Sequence, residues 1–547
     1  MRSLMLCLTT AVLAACSATA PPAAAPTAEA HRVKAHVDFL AHDLLQGREA
    51  TSKGYAVAAH YVASQMAAIG LSPAGDSGDW LQEVPLLRAE RLREGASMRL
   101  LRGDETLSFE FESDYLPGVN YHRESWQVRA PLVFVGQAVV AAEFDHDDLA
   151  GVDVRGKIAV LFSGAPARFP NDQRAYYSSS RVKQDLLVER GAVGIVWLGD
   201  PEREGKYPWA RGAKNWGRPS MRLRDQNGPL DTHPELLGTA SINVEAARRL
   251  FAGAPVEAEQ LFQDLESGRL KAFDLGTELE LRGSNRLSAE RCWNVVGQLP
   301  GNDPLKATEH VVYSAHLDHL GLGAPVNGDA IYNGALDNAL GVALLLETAR
   351  LAKAAPAVAR SQLFVAVTAE EKGLLGSDYF AGHPSVPGEL IANINMDMPV
   401  VLGPVRDALP IGIEHSDLES VVRDQASALG LQLSADPFPE EVVFIRSDQF
   451  SFIRRGIPAV YIDGGVISAG PGFDAKQSLT DFLRTHYHQP SDQADLPIHY
   501  PSAARIADLN AAVGAKVADQ AARPRWNAGD FFASKFAPKQ DAAVGEH

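Results

Sequence analysis

VVYSAHLDHLG, residues 311–321, begins as an apolar, β-branched run and ends in His316, Asp318 and His319. The run reads as a buried strand. Side chains alternate along a strand, so His316 and Asp318 are expected on one face, with Leu317 and His319 on the other. A histidine beside a carboxylate is either a metal ligand with its orienting partner or an ordinary hydrogen-bonded pair, and this stretch alone does not separate the two. Moving outward, the pattern repeats. The apolar LFVAVTA (363–369) runs into Glu370 and Glu371, and LIANINMDMP (390–399) closes on Asp397. From CWNVVGQLPG (292–301) onward strands and helices alternate. Strands are predicted at 294–299, 310–316, 362–368, 390–397 and 457–462, and helices at 338–354, 374–381, 416–429 and 501–520. This rhythm implies an α/β fold with a mostly parallel central sheet flanked by helices. Sites in such sheets gather beyond the carboxyl ends of the strands.

Two further segments add chemistry. Asp337 sits at a Gly-bearing loop entering the apolar helix of YNGALDNALGVALLLETA, where a helix cap is the plain alternative. His488 lies in HYHQPSD, a loop with Pro490 and Asp492 behind it. Adjacent residues of a strand cannot face one site, so Glu370 and Glu371 must lie where the chain turns. Two histidines and three or four carboxylates form a suitable set for two zinc ions, one carboxylate bridging. One glutamate of the adjacent pair can then bind metal while the other stays free as a general base.

AHLDHLG, NGALDNALGVALLLETAR, AEEKGLLGS, NINMDMP, RSDQFSFIRRGIPA and YHQPSD together resemble the secreted di-zinc exopeptidases, the family of bacterial leucine-type aminopeptidases and glutamate carboxypeptidase. The resemblance covers about 290–500 and the N-terminal helices with FLAHDLLQGR. It implies the zinc aminopeptidase fold and two Zn2+, with His316 and Asp397 on one metal, Glu371 and His488 on the other, and Asp337 bridging. It also implies Glu370 as general base acting on a metal-bridging hydroxide, Asp318 orienting His316, and Tyr487 steadying the oxyanion. Asp337–Asn338 matches a position where the family often has a cis peptide bond. The family usually reads Ser-Asp-His where this chain has SDQ (447–449), and Ser where Leu340 stands; Gln449 puts the substrate-side wall in doubt.

The remaining chain is organised around that core. Its 547 residues suggest several domains. A net charge of −17 argues against nucleic acid or an anionic bilayer as the main partner. MRSLMLCLTTAVLAAC (1–16) reads as a secretory signal, too short to span a membrane. LAAC resembles the bacterial lipobox, which implies cleavage before Cys16, lipidation of its thiol and an exported, membrane-anchored protein, by default at the outer membrane. A plain signal peptide cut nearby, leaving a secreted protein, is the alternative. An Ala/Pro-rich tether follows (17–30), then the N-terminal part of the peptidase domain (31–125). A small β-rich module over 126–285 resembles the protease-associated domain inserted in many of these enzymes. The main part of the peptidase domain takes 286–525 and a C-terminal tail 526–547, docked to about Phe536. Of three cysteines only Cys292 remains unmodified after processing, so no internal disulfide framework exists.

Other candidates carry less. Cys292 beside Trp293 reads as a buried, inert thiol. GLGAPVNG (321–328) does not open a helix after a strand, which rejects a dinucleotide site. Arg446, Arg454 and Arg455 read as a solvated helix end or as a receptor for a substrate carboxylate. The leading expectation is an aminopeptidase acting on peptides. A carboxypeptidase or other amide hydrolase on the same site, a single-zinc glutaminyl cyclase, and an inert binding homologue are the alternatives.

Overall fold

The computed structural model describes residues 26–537. The signal segment, Cys16 and most of the tether lie outside the described residues, as does 538–547. Among the described residues no helix is long and apolar enough to cross a membrane.

The central sheet of the larger domain follows from its apolar runs. Ser361–Val367, Glu309–His316, Glu389–Asn395 and Ala459–Gly464 lie side by side and parallel, in that order. The end of the long strand Phe273–Leu299 and the strand Asp407–Ile411 close the two sides antiparallel. Every residue of Ser361–Val367 is buried, as a strand covered on both faces requires. Val311, Tyr313 and Ala315 pack under the helices Ala30–Leu40, Lys53–Ile69, Leu340–Ala354 and Tyr500–Asp519. Val312, Leu363, Val365 and Val367 pack on the opposite face with Phe380 and Phe452. The approach on the first face is close: a Cβ on Gly514 would lie 1.8 Å from the Tyr313 hydroxyl, so that turn of Tyr500–Asp519 needs glycine.

Two long paired strands, Leu81–Arg102 and Phe273–Leu299, carry the chain out of this domain and back. On them sits the inserted module. Its strands Ser125–Phe134, Ile158–Phe162, Gly194–Leu198 and Gly238–Ile242 are consecutive and parallel. Parallel neighbours need crossover connections, and the chain supplies the helices Asn171–Ser178 and Ser180–Glu189 between the second and third strands and Pro201–Lys206 and Trp209–Ala213 between the third and fourth. The expected β-rich module is therefore a layered α/β unit. Its core also takes Met98, Leu100, Phe109 and Tyr115, ahead of residue 126. The tail returns to both domains: Phe532 is fully buried, 4.7 Å from the Phe444 ring and 6.3 Å from the Tyr176 ring of the insert.

Candidate metal centre and active site

Three neighbouring parallel strands deliver their ends to one spot. His316 is the last residue of its strand, and Asp397 lies two residues beyond the next. Glu370 and Glu371 lie three and four residues beyond Ser361–Val367. Asp337 enters from the loop ahead of Leu340–Ala354, and Tyr487 and His488 from the loop after the helix Ala475–Thr485.

Asp337 stands in the middle. Its Oδ1 is 3.3 Å from His316 Nε2, which is 3.0 Å from Asp397 Oδ1. Its Oδ2 is 3.2 Å from His488 Nε2, which is 3.3 Å from Glu371 Oε2. One carboxylate thus faces two donor sets, one with each oxygen. The peptide Asp337–Asn338 is cis. Asp492 accepts from the backbone N–H of Leu336 (2.9 Å) and of Asp337 (3.0 Å), which holds this loop in place.

The surroundings correct three expectations. Asp318 does not orient His316 through its carboxylate. The His316 Nδ1 is 3.1 Å from the Asp318 main-chain carbonyl, while the carboxylate accepts from the backbone N–H of Glu370 (3.1 Å) and of Glu371 (3.4 Å). Asp318 therefore shapes the turn that separates the two glutamates. His319 does not point away either. The strand stops at His316, alternation stops with it, and the ring turns in until Nδ1 is 2.7 Å from Glu371 Oε1 and 3.7 Å from Asp337 Oδ2. Gly334 makes room, since a Cβ there would lie 2.5 Å from the His319 ring. Gln449 is not on a substrate-side wall: it is fully buried and donates to the Phe444 carbonyl at 2.8 Å.

One supporting residue, Arg48, gave no sequence signal. Arg48 is buried and spreads its guanidinium over the carbonyls of Leu40, Leu317, Asn333 and Gly334, tying the His316 turn to the Asp337 loop. Arg446 donates to the Tyr487 hydroxyl at 2.8 Å and lines the cleft with Glu370 and Glu371. Arg454 and Arg455 instead pair with Asp378, at 3.3 and 3.4 Å, which leaves little of the carboxylate-receptor reading for those two. Cys292 is buried against Thr368, and burial pushes its thiol up to about 11, which makes it inert.

The electrostatics ask for cations. Asp318, Asp337, Glu370, Glu371, Asp397, Asp448 and Asp492 crowd a region with three imidazoles and the Arg48 guanidinium. Burial works to lower His316, yet the Asp397 and Glu370 carboxylates hold it well above its ordinary range. Burial, opposed by His316 and reinforced by Asp397 and Glu371, holds Glu370 well above the carboxylate range. Burial likewise lifts Asp448 to about 7. Both ring nitrogens of His319, Glu371 Oε1 and both Asp448 oxygens lack an aligned hydrogen-bond partner. Buried groups left unpaired beside excess negative charge fit a site built for metal. Within this cluster two sets have the reach to hold an ion, His316–Asp337–Asp397 and His319–Asp337–Glu371.

Comparison with known proteins agrees with this geometry. Residues 294–514 match the family model described as Peptidase family M28, and that segment contains every residue of the metal-facing set. Over 329 residues the chain is 24% identical to a glutamate carboxypeptidase 2 homolog of Caenorhabditis elegans, covering 53% of this chain and 40% of the relative. The chain thus spans well under half the length of the curated relative it matches. Among solved structures, the aminopeptidase from Aneurinibacillus sp. strain AM-1 superposes with a TM-score of 0.52 at 18% identity, covering 90% of this chain and 95% of that one. The two share the zinc aminopeptidase-like fold.

Proposed function

We propose that this chain, whose residues 294–514 form a Peptidase family M28 segment, is a di-zinc aminopeptidase that trims peptides from their N-terminus. The observation that carries the reading is Asp337, with Oδ1 turned to His316 and Asp397 and Oδ2 turned to His488 and Glu371. His316, Asp337 and Asp397 would hold one zinc, and Asp337, Glu371 and His488 the other. Bound zinc supplies Lewis acidity toward the scissile carbonyl and the attacking water.

The chain's own residues do the rest. Glu370 is held apart from Glu371 by the Asp318-capped turn; with bound zinc offsetting the Asp397 and Glu371 charges that raise it, its carboxylate would take the proton of the attacking water and pass it to the leaving amine. Burial raises the Tyr487 hydroxyl well above its ordinary range, against the pull of Arg446, so it keeps its proton. It accepts from Arg446 and is free to donate its own proton to a developing oxyanion. The carboxylate excess favours a substrate that brings an ammonium group.

A carboxypeptidase is the second reading, favoured by the Arg446 guanidinium on the cleft wall. Amino-acid p-nitroanilides and C-terminally free N-acetyl dipeptides, assayed with zinc, after chelation and with Glu370→Gln, separate the two. Chelator-sensitive release of p-nitroaniline, lost in the variant, establishes the aminopeptidase. Cleavage of the blocked dipeptides alone establishes the second reading, and silence in both with no zinc bound sinks both. The proposal places the enzyme outside the cytoplasm, anchored through Cys16; fatty-acid labelling that survives Cys16→Ala would overturn that anchor.

A further inference from the structure

One of the segments with which the inserted domain reaches the catalytic domain, residues 207–218, lies beside the loops of the site. Tyr207 donates to Glu441 Oε1 at 3.0 Å, on the loop that leads to Arg446. Asn215 Oδ1 accepts from the Ala324 backbone N–H at 2.9 Å. Arg218 lies over the Tyr332 ring, 4.0 Å from its centroid. Between them, Arg211 on the helix Trp209–Ala213 donates to the Arg484 carbonyl at 3.0 Å and, through its other nitrogen, to the Tyr487 carbonyl.

Those two carbonyls are where the metal-facing loop begins. Arg484 lies in the last turn of Ala475–Thr485, where carbonyls have no partner within the helix and a cation meets the negative end of the dipole. The Tyr487 carbonyl belongs to the peptide that joins Tyr487 to His488. His488 has φ 57°, in the left-handed region that a side chain disfavours. A carbonyl fixed from outside fixes that peptide plane, and with it the direction of the His488 ring. Among the described residues, the donor to this carbonyl is Arg211.

We infer that Arg211 is a positioning residue: a side chain of the inserted domain sets the loop that presents Tyr487 and His488, so the second metal position is complete only while the insert is docked. The inference rests on the proposed function, because it takes His488 as a metal-facing residue.

The test uses the full mature chain as Arg211→Met, Arg211→Lys and Lys214→Ala, the last an exposed side chain just past the same helix. Zinc per chain is measured after dialysis against a graded chelator, together with kcat, KM and the melting temperature of the zinc-free form. Arg211→Met is expected to keep one zinc like the parent and to release the other at about 10–100-fold lower chelator strength. Its kcat should fall by a similar factor, with KM changed far less and the zinc-free melting temperature close to the parent's. Arg211→Lys, able to reach one carbonyl, should recover part of both, and Lys214→Ala should match the parent. A parent with two zincs and an Arg211→Met variant equal to it in zinc retention and kcat overturns the role of Arg211. If Arg211→Met does not fold, Arg211→Lys decides on the same readouts: retention equal to the parent overturns the role, and early loss of one zinc supports it. A parent that binds no zinc overturns the proposed function instead.

Discussion

Among the described residues, two places set histidine against two or more carboxylates, and they differ in what they leave unfinished. At His415, Nε2 is 2.8 Å from Asp172 of the insert and Nδ1 is 2.7 Å from Asp530 of the C-terminal segment. Each ring nitrogen has one aligned partner, and the ring is packed 4.8 Å from Phe532 and 5.2 Å from Phe444. At Asp337 the imidazoles are outnumbered, and His319 and Glu371 lie 2.7 Å apart without aligning. Both places have the residue types and the reach to hold a metal. Residue type and spacing therefore do not identify a metal centre by themselves. Unmet donors and surplus buried charge do, and by that measure the His415 cluster is a closed latch and the Asp337 cluster an open one.

The same substitution at each cluster should break the comparison if it is wrong. Asp337→Asn removes the charge both donor sets share, so zinc should be lost and turnover should fall by more than the roughly 10²–10⁴-fold expected of Glu370→Gln, which keeps its zinc. Asp172→Asn should leave zinc content and kcat at the parent's values. Elemental analysis and initial rates check both, and zinc loss from Asp172→Asn would show that the latch is a metal site after all.

Zinc removal sharpens the contrast at the next size. Ligand bound only to the folded state stabilises by mass action, about 4 kcal/mol at a thousandfold excess over Kd. Melting temperature should rise with free zinc in the parent and by the same increment in Asp530→Asn. The Asp337→Asn curve should be flat. Asp530→Asn should itself cost about 1.5–3 kcal/mol, the loss of a charge-assisted hydrogen bond under buried aromatic rings, read as a lower melting temperature at every zinc level.

The two clusters also differ in how much of them the sequence discloses. His316, Glu370, Glu371 and Asp397 stand out because each ends or follows an apolar run, and a parallel sheet brings such ends together. The four parallel strands and the helices expected at 338–354, 374–381, 416–429 and 501–520 match their predicted spans to within about two residues for the same reason, whereas the strand expected at 294–299 is only the end of Phe273–Leu299 and Asp407–Ile411 was not expected. The role of Asp318 was misread because a period of two was carried past His316, where the strand ends. Arg48, Arg211 and His415 gave no signal at all. Their partners lie 269, 276 and 243 residues away, and no local pattern of charge or hydropathy encodes a contact of that range. The insert's helices were underweighted because its short strands dominate the texture, although parallel pairing requires crossovers between them.

The smallest expected effect is a pH dependence confined to the latch. Burial alone would lower the His415 imidazole, but the hydrogen bonds and charges of Asp172 and Asp530 overcome it and raise the group to about 9. Its unfolded value is near 6.5. A group raised on folding contributes stability that is complete below the unfolded value and disappears as pH climbs through the folded one. The latch should therefore hold fully near pH 6 and weaken between pH 7 and 9, with a loss of about 2 kcal/mol across that window. Glu414 and Asp436, also raised by burial and by the nearby Asp172 charge, act on the acid side of the curve. Thermal melts at saturating zinc, parent against His415→Gln, isolate the effect, because glutamine cannot gain a proton and both chains share the catalytic cluster. The gap between the two curves should close as pH rises to 9, and protease cleavage ahead of Trp526 should quicken in the parent over the same range. A gap that stays constant from pH 6 to 9 would mean that the latch holds by shape and not by charge, and the contrast between the two clusters would then rest on hydrogen-bond alignment alone.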